Sequence, residues 1–256
     1  MKHAPAISIG VIVLLANIAI AADAPYVGKW KVNPTKSQVT GQTLTLEKKA
    51  SGMTRYESGG FAYEFKLDGK EYPMPDGGTT SWKAIDAKTW DVTNRQNGKL
   101  TGNYRLVLDG DTMTFQSVLG KADGGTLKES GKLTRMSGGP GFEGKWKISD
   151  AKMAVTTMDI TANGPDGITI AYPEQGGVCK AKFDGKDYAV TGPLVGSGST
   201  YALKKTGAGS FEITEKLNGK ALYTDKISVS ADGKILTLDG SPTSSNEPVK
   251  FVYERQ

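Results

Sequence analysis

The sequence predicts an all-β chain of two tandem antiparallel up-and-down β-barrels with about eight to ten strands each, and three observations carry that prediction. Gly28-Lys29-Trp30-Lys31 recurs as Gly144-Lys145-Trp146-Lys147, 116 residues later. From Tyr26 onward apolar and polar residues alternate at period two, the spacing of half-buried strands. Asn-Gly and Asp-Gly pairs, which supply the positive φ angles of two-residue hairpin turns, punctuate the alternation.

Residues 1–21 read as a secretory signal, with Lys2 and His3 as a polar start, an apolar run from Ile7 to Ile20, and Ala19-Ile20-Ala21 as the cleavage site. The run is short of the roughly 20 apolar residues of a spanning helix, and Asp23 and Pro25 follow it closely. The mature chain is therefore expected from Ala22, exported to the periplasm or secreted, with no membrane span after signal cleavage. Cleavage removes His3, the only histidine, and with it every histidine general base, Ser-His-Asp triad or His-containing zinc site. Cys179 is the only cysteine, so no internal disulfide forms and stability must come from apolar burial. Its apolar neighbours mark it as a small core residue. The net charge of +5 comes from lysines scattered singly through strands and turns, so no nucleic-acid partner is expected. No Asp-Gly-Lys turn continues as a calcium loop and no glycine run forms a phosphate cradle, so neither metal nor cofactor is expected.

In the first copy, Leu44 and Leu46, then Phe61, Tyr63, Phe65 and Leu67, then Trp90 and Val92 mark apolar strand faces. Tyr104, Leu106, Leu108, Met113, Phe115 and Leu133 continue the pattern. Asp68-Gly69-Lys70, Asn97-Gly98-Lys99 and Asp109-Gly110 turn the chain, and Asp184-Gly185-Lys186, Asn218-Gly219-Lys220 and Asp232-Gly233 repeat them in the second copy. Ser137-Gly138-Gly139-Pro140-Gly141 breaks the alternation. The expected division is barrel one over 22–136, a linker at 137–141 and barrel two over 142–256. A two-sheet sandwich is the competing architecture, and hairpins between sequential neighbours favour the barrel.

Gly28-Lys29-Trp30 and Gly144-Lys145-Trp146 resemble the Gly-x-Trp motif on the first strand of lipocalins and related calycins, the lipocalin and fatty-acid-binding-like barrels. That family also carries an arginine on the last strand that packs across the tryptophan, and the last strands here end with Arg135 and Arg255. The resemblance extends over each whole copy, including the closing Phe251-Val252-Tyr253-Glu254-Arg255. It implies a lipocalin-like barrel whose floor is closed by these Trp and Arg residues, and a cavity that binds a small apolar molecule.

Laying one copy on the other indicates where that cavity should be. Phe61, Tyr63 and Phe65 become Gly177, Cys179 and Ala181; Trp82 becomes Tyr201, Trp90 becomes Phe211, and Phe115 becomes Leu238. Three rings lost from one strand predict the larger cavity in the second barrel, with Tyr223 in place of Gly102 and the bulk of Phe251 and Tyr253 as offsets. Glu215 continues the face of Phe211 and Ile213 where the first copy has Asn94, and Asp225 replaces Tyr104. Pointing inward, the two acids suit a cationic or hydroxylated head group, or share a proton as general acid and base. Pointing outward, they are solvated and paired with Lys216 and Lys226. The expected site residues are Cys179, Ala181, Tyr201, Phe211, Glu215 and Asp225. The expected function is non-enzymatic binding of a small hydrophobic or amphipathic ligand. A filled, non-catalytic envelope or protein-interaction module, such as an inhibitor, is the alternative, its protein partner unknown, and an enzyme using Glu215 and Asp225 is the third reading.

Overall fold

A computed structural model describes residues 24–243 and 247–256, so the expected signal at 1–21 lies outside the described residues. Among the described residues every element is a β-strand, and no helix is long and apolar enough to cross a membrane. The alternating pattern places strands where the sequence predicts them, and Asn97 and Asn218 adopt φ values of 52° and 51° in their Asn-Gly turns.

The chain opens with β1 (Gly28–Val32). It then forms β2 (Thr43–Lys48), β3 (Thr54–Ser58), β4 (Phe61–Phe65), β5 (Asp68–Pro73) and β6 (Thr79–Asp86). The meander continues through β7 (Thr89–Gln96), β8 (Lys99–Asp109), β9 (Thr112–Gly120), β10 (Thr126–Ser137) and β11 (Gly144–Lys152). After a short crossing come β12 (Thr157–Ala162), β13 (Gly167–Tyr172), β14 (Gly177–Lys182), β15 (Asp187–Thr191) and β16 (Ser199–Gly207). The last four are β17 (Ser210–Leu217), β18 (Lys220–Val229), β19 (Ile235–Pro242) and β20 (Val249–Arg255).

These strands form two antiparallel, up-and-down, 10-stranded sheets. One is a closed barrel of β1 with β12 through β20; the other runs β4-β3-β2-β11-β10-β9-β8-β7-β6-β5 and is barrel-like, with no hydrogen-bonded ladder between β4 and β5. The corresponding seam of the closed barrel is held by only Val178↔Thr191 and Cys179↔Val190.

Membership of the two sheets departs from the expected division. β1 pairs with β12 and β20, so the first Gly-Lys-Trp-Lys strand completes the second barrel. β11 pairs with β2 and β10, so the second Gly-Lys-Trp-Lys strand completes the first. Residues 137–141 are consequently no interdomain linker: they form the β10–β11 connection within one sheet, with the Arg135 guanidinium donating to the Gly141 and Glu143 carbonyls at 2.7 and 3.0 Å. The passages between sheets are the segments after β1 and after β11. The first is stitched to both sheets, because Gln38 and Lys250 exchange backbone hydrogen bonds of 2.7 and 2.8 Å and Ile148 N–H donates to Gln42 O at 2.8 Å.

The floor of each barrel shows why two copies of one motif fit both places. Trp30 and Trp146 are wholly buried, and each indole N–H donates to a carbonyl four residues back, Tyr26 O at 2.9 Å and Phe142 O at 2.8 Å. Arg255 lies over Trp30 at 4.2 Å and Arg135 over Trp146 at 4.1 Å. Each arginine thus covers the tryptophan of the other copy. Gly28 and Gly144 adopt φ 151° and 140°; a Cβ on Gly28 would run into the Arg255 guanidinium, and one on Gly144 into the Ser137 carbonyl, with Arg135 close beside it.

The interior of the second barrel is refilled where the sequence comparison predicts space. Gly177, Cys179 and Ala181 face Tyr172, Ile170 and Ile168 across β13, whereas Phe61, Tyr63 and Phe65 face Ser58, Tyr56 and Thr54 across β3. Larger side chains on β13 thus offset part of what β14 lost. At the floor, Tyr26 and Phe183 pack on Phe211 at 4.9 and 5.5 Å between ring centroids. Cys179, Ala181 and Phe211 are accordingly fully packed. The first sheet keeps an apolar cavity of about 210 Å³ beside Tyr56, Trp82 and Phe115.

Candidate functional site

The strand registers define the interior layers that the two barrels share. In the first sheet one layer reads Thr80–Asn94–Gly102 across β6, β7 and β8; its counterpart across β16, β17 and β18 is Tyr201–Glu215–Tyr223. The next layer reads Trp82–Val92–Tyr104 in the first sheet and Leu203–Ile213–Asp225 in the second. The counterpart of Tyr201 is therefore Thr80, and Trp82 is matched by Leu203. This corrects the Trp82-to-Tyr201 match expected from sequence, because the loop before β16 holds more extra residues than that alignment allowed. A small polar layer, in which the Thr80 hydroxyl donates to Asn94 Oδ1 at 2.7 Å, has become two tyrosines and a glutamate.

These side chains face a cavity of about 630 Å³ that lies between the two sheets and is lined by both. The second barrel contributes Tyr172, Tyr201, Glu215, Tyr223, Asp225 and Tyr253; Tyr104, Leu119, Leu127 and Glu129 come from the first sheet. Met153 and Ala154 from the crossing after β11, and Gln42 from the crossing after β1, complete the wall. A smaller space of about 330 Å³ beside Phe61 and Val195 reaches Tyr201 and Glu215 from the β4 side. A more open groove of about 770 Å³ near Asp91, Arg105 and Lys128 is a surface feature whose principal charges are already paired, Arg105 with Asp91 at 2.8 Å.

Asp225 and Glu215 point inward, so the solvated arrangement weighed from sequence does not occur. Asp225 is only 4% exposed. Lys216 pairs with Asp187 at 2.6 Å, and Lys226 is exposed. Burial and then the neighbouring Glu215 push the Asp225 carboxyl up to about 8. Burial also raises Glu215, with the adjacent Tyr201 hydroxyl and Asp225 partly opposing the shift. Two carboxyls this close in a low-dielectric wall share a proton around neutral pH, and their titration belongs to the pair. Burial lifts Tyr172 and Tyr201 well above the ordinary phenol range and raises Tyr253 as well, so these hydroxyls stay protonated and available as donors.

The remaining acids of the wall serve the backbone. Glu129 accepts from Ala154 N–H at 3.2 Å, and Glu174 accepts from Thr157 N–H at 2.9 Å and from its hydroxyl at 3.0 Å. Both thereby fix the crossing between β11 and β12. Burial raises Glu129, with the Ala154 N–H opposing the shift.

Of the residues singled out from sequence, Tyr201, Glu215 and Asp225 line this cavity, while Cys179, Ala181 and Phe211 lie in the packed core below it. Burial pushes the Cys179 thiol up to about 11, which suits a core residue and not a nucleophile. Sequence reasoning missed Tyr172, Tyr104 and Glu129 as wall residues. The signal for Tyr172 was present: it is the large partner of Gly177 across β13 and β14. Tyr104 and Glu129 could not be found by comparing copies, because they reach the site from the other sheet. No group of three or more histidine, cysteine or carboxylate side chains is arranged for a metal among the described residues. The cavity can thus supply buried acid, phenolic donors and aromatic faces to one bound molecule. Comparison with models of known families, with curated proteins and with solved structures finds no match.

Proposed function

We propose that the chain is an exported calycin-like binding protein that takes one small amphipathic molecule into the cavity between its two barrels. The observation that carries this reading is the cavity itself: about 630 Å³, within the roughly 300–1,000 Å³ range of small-molecule sites, with apolar walls and a few converging polar groups. Leu119, Leu127, Leu238 and Phe251 supply apolar surface, and Tyr201, Glu215 and Asp225 supply a polar end. The Gly-x-Trp strands and their stacked arginines support the calycin assignment, and residues 1–21 support export to the periplasm or beyond the cell. Native mass spectrometry of the intact mature chain tests the reading. The expected result is a co-purifying mass of a few hundred daltons that disappears in Leu119→Trp, a substitution that fills the cavity from the first-sheet side. A protein mass with no adduct, together with unchanged thermal stability across a panel of small amphiphiles, overturns it.

A second reading rests on the shared proton. Two inward carboxyls that share a proton are an arrangement a general acid–base catalyst uses. It expects turnover of a bound hydroxylated or ester-bearing molecule that is abolished in Glu215→Gln, and a ligand recovered chemically unchanged after prolonged incubation removes it.

A further inference from the structure

Resting on the binding role proposed above, we infer that the polar end of the ligand is an organic cation, a protonated or quaternary amine seated among the tyrosines and neutralised by Glu215 and Asp225. The charge of the wall argues for this first. In a chain with a net charge of +5, the cavity is lined by the four acids Glu129, Glu174, Glu215 and Asp225 and by no lysine or arginine. Glu129 and Glu174 already accept hydrogen bonds from the crossing, which leaves Glu215 and Asp225 for a ligand.

The second argument is independent of the number of acids. Asp225 is 4% exposed, faces the cavity from β18 beside Glu215, and no salt bridge reaches it among the described residues. A second negative charge on the buried Glu215–Asp225 pair is strongly disfavoured unless a counter-charge or donors satisfy it. The nearby lysines are turned elsewhere, Lys216 to Asp187 at 2.6 Å and Lys250 toward Asp239 at 3.9 Å. The counter-charge missing from the protein is what a cationic ligand brings.

The aromatic lining supplies the third argument. Tyr104, Tyr172, Tyr201, Tyr223, Phe251 and Tyr253 all border this cavity. The negative π-face of each ring attracts a cation, and a ring of them around a carboxylate discriminates against anions. The layer comparison shows how local the change is: where the second barrel has Tyr201–Glu215–Tyr223, the first has Thr80–Asn94–Gly102. A neutral apolar ligand would need neither the acids nor this layer.

Binding should also release a proton. A cation beside the pair favours its doubly ionised form, while Tyr172, Tyr201, Tyr223 and Tyr253, whose burial raises them, stay neutral. Glu129 and Glu174 keep their backbone partners throughout.

Isothermal titration calorimetry on the intact mature chain tests the inference with three probes of one chain length: octyltrimethylammonium, octyl glucoside and octanoate. The expected order places the cation at least tenfold tighter than the glucoside and octanoate weakest. Cation affinity should fall at least tenfold from pH 8 to pH 5, and buffers of different ionisation enthalpy should reveal proton release at pH 7. Asp225→Asn should abolish the preference for the cation over the glucoside, and Glu215→Gln provides the same readout if the first variant does not fold. Equal or better binding of octyl glucoside or octanoate overturns the cation inference and leaves the binding role standing. Failure of all three probes, in a chain that also co-purifies with nothing, overturns both.

Discussion

Asp225 has a measurable consequence for stability, apart from any ligand. Its carboxyl stands at about 8 in the folded chain against a value near 3.9 when unfolded, so between those limits the folded state holds the extra proton. Stability contributed by this group is therefore fully present below about pH 4 and is lost as pH rises toward 8. Asp225→Asn removes this group's share of the slope, leaving that of Glu215, and should gain on the wild type over that window by on the order of a few kcal/mol, read from urea midpoints at pH 5 and pH 8. Gly28 offers a second test at this scale. Alanine there meets both an unfavourable φ of 151° and the Arg255 guanidinium, with an expected loss of roughly 1–3 kcal/mol in a thermal or urea melt. Glu215 and Asp225 were legible as candidates because Glu215 continues the apolar face of Phe211 and Ile213 and Asp225 stands in place of Tyr104, but the pattern left their direction open. The counterpart of Tyr201 was not legible, because a longer loop before β16 displaced the alignment of the copies by two residues and hid which side chains share a layer.

The strands themselves were legible throughout: period-two alternation and Asn-Gly or Asp-Gly turns depend on neighbours a few residues apart. Strand partnership was not, and the reason is chemical. β1 and β11 carry the same Gly-Lys-Trp-Lys, each bringing an indole and a glycine to an arginine on a last strand, so nothing local distinguishes Trp30 beneath Arg135 from Trp30 beneath Arg255. The exchange is checked by Trp30→Ala, which should cost about 3–5 kcal/mol, the range for removing a large buried aromatic side chain. Hydrogen exchange should then show protection lost mainly in β12 through β20, with β2 through β11 retained. Loss confined to β2 through β10 would place β1 in the first sheet. The crossings are the other features without a local signal. Glu129 reaches from the first sheet to hold Ala154 in the crossing, and Glu174 holds Thr157 where β12 begins.

At the scale of the whole molecule, the two sheets are joined at several points besides the crossings. Ser197 N–H donates to Asp76 O at 2.7 Å, Asn218 Nδ2 to Pro75 O at 2.9 Å, and Ala122 N–H to Glu174 O at 2.7 Å. The last of these borders the cavity wall, where Glu174 is a lining residue. The ten strands of the first sheet are contiguous in sequence, from Thr43 to Lys152, whereas those of the second require a strand from the far N-terminus. A chain of residues 42–153 is therefore expected to fold alone with a cooperative melt, and a chain of residues 154–256 is expected to stay partly open until a peptide covering 24–33 is added, with circular dichroism and hydrogen exchange as readouts. The same connectivity sets an order of events during synthesis. β1 is the first strand to leave the ribosome, its partner β12 is made past the middle of the chain and its partner β20 last, so β1 must wait unpaired until β12 emerges. In that interval it carries the strand that β2 and β10 will accept from β11, and the two compete for one berth. The native arrangement requires that β11 take that place and leave β1 to β12, after which Phe251 to Arg255 pair along its other edge and complete the barrel.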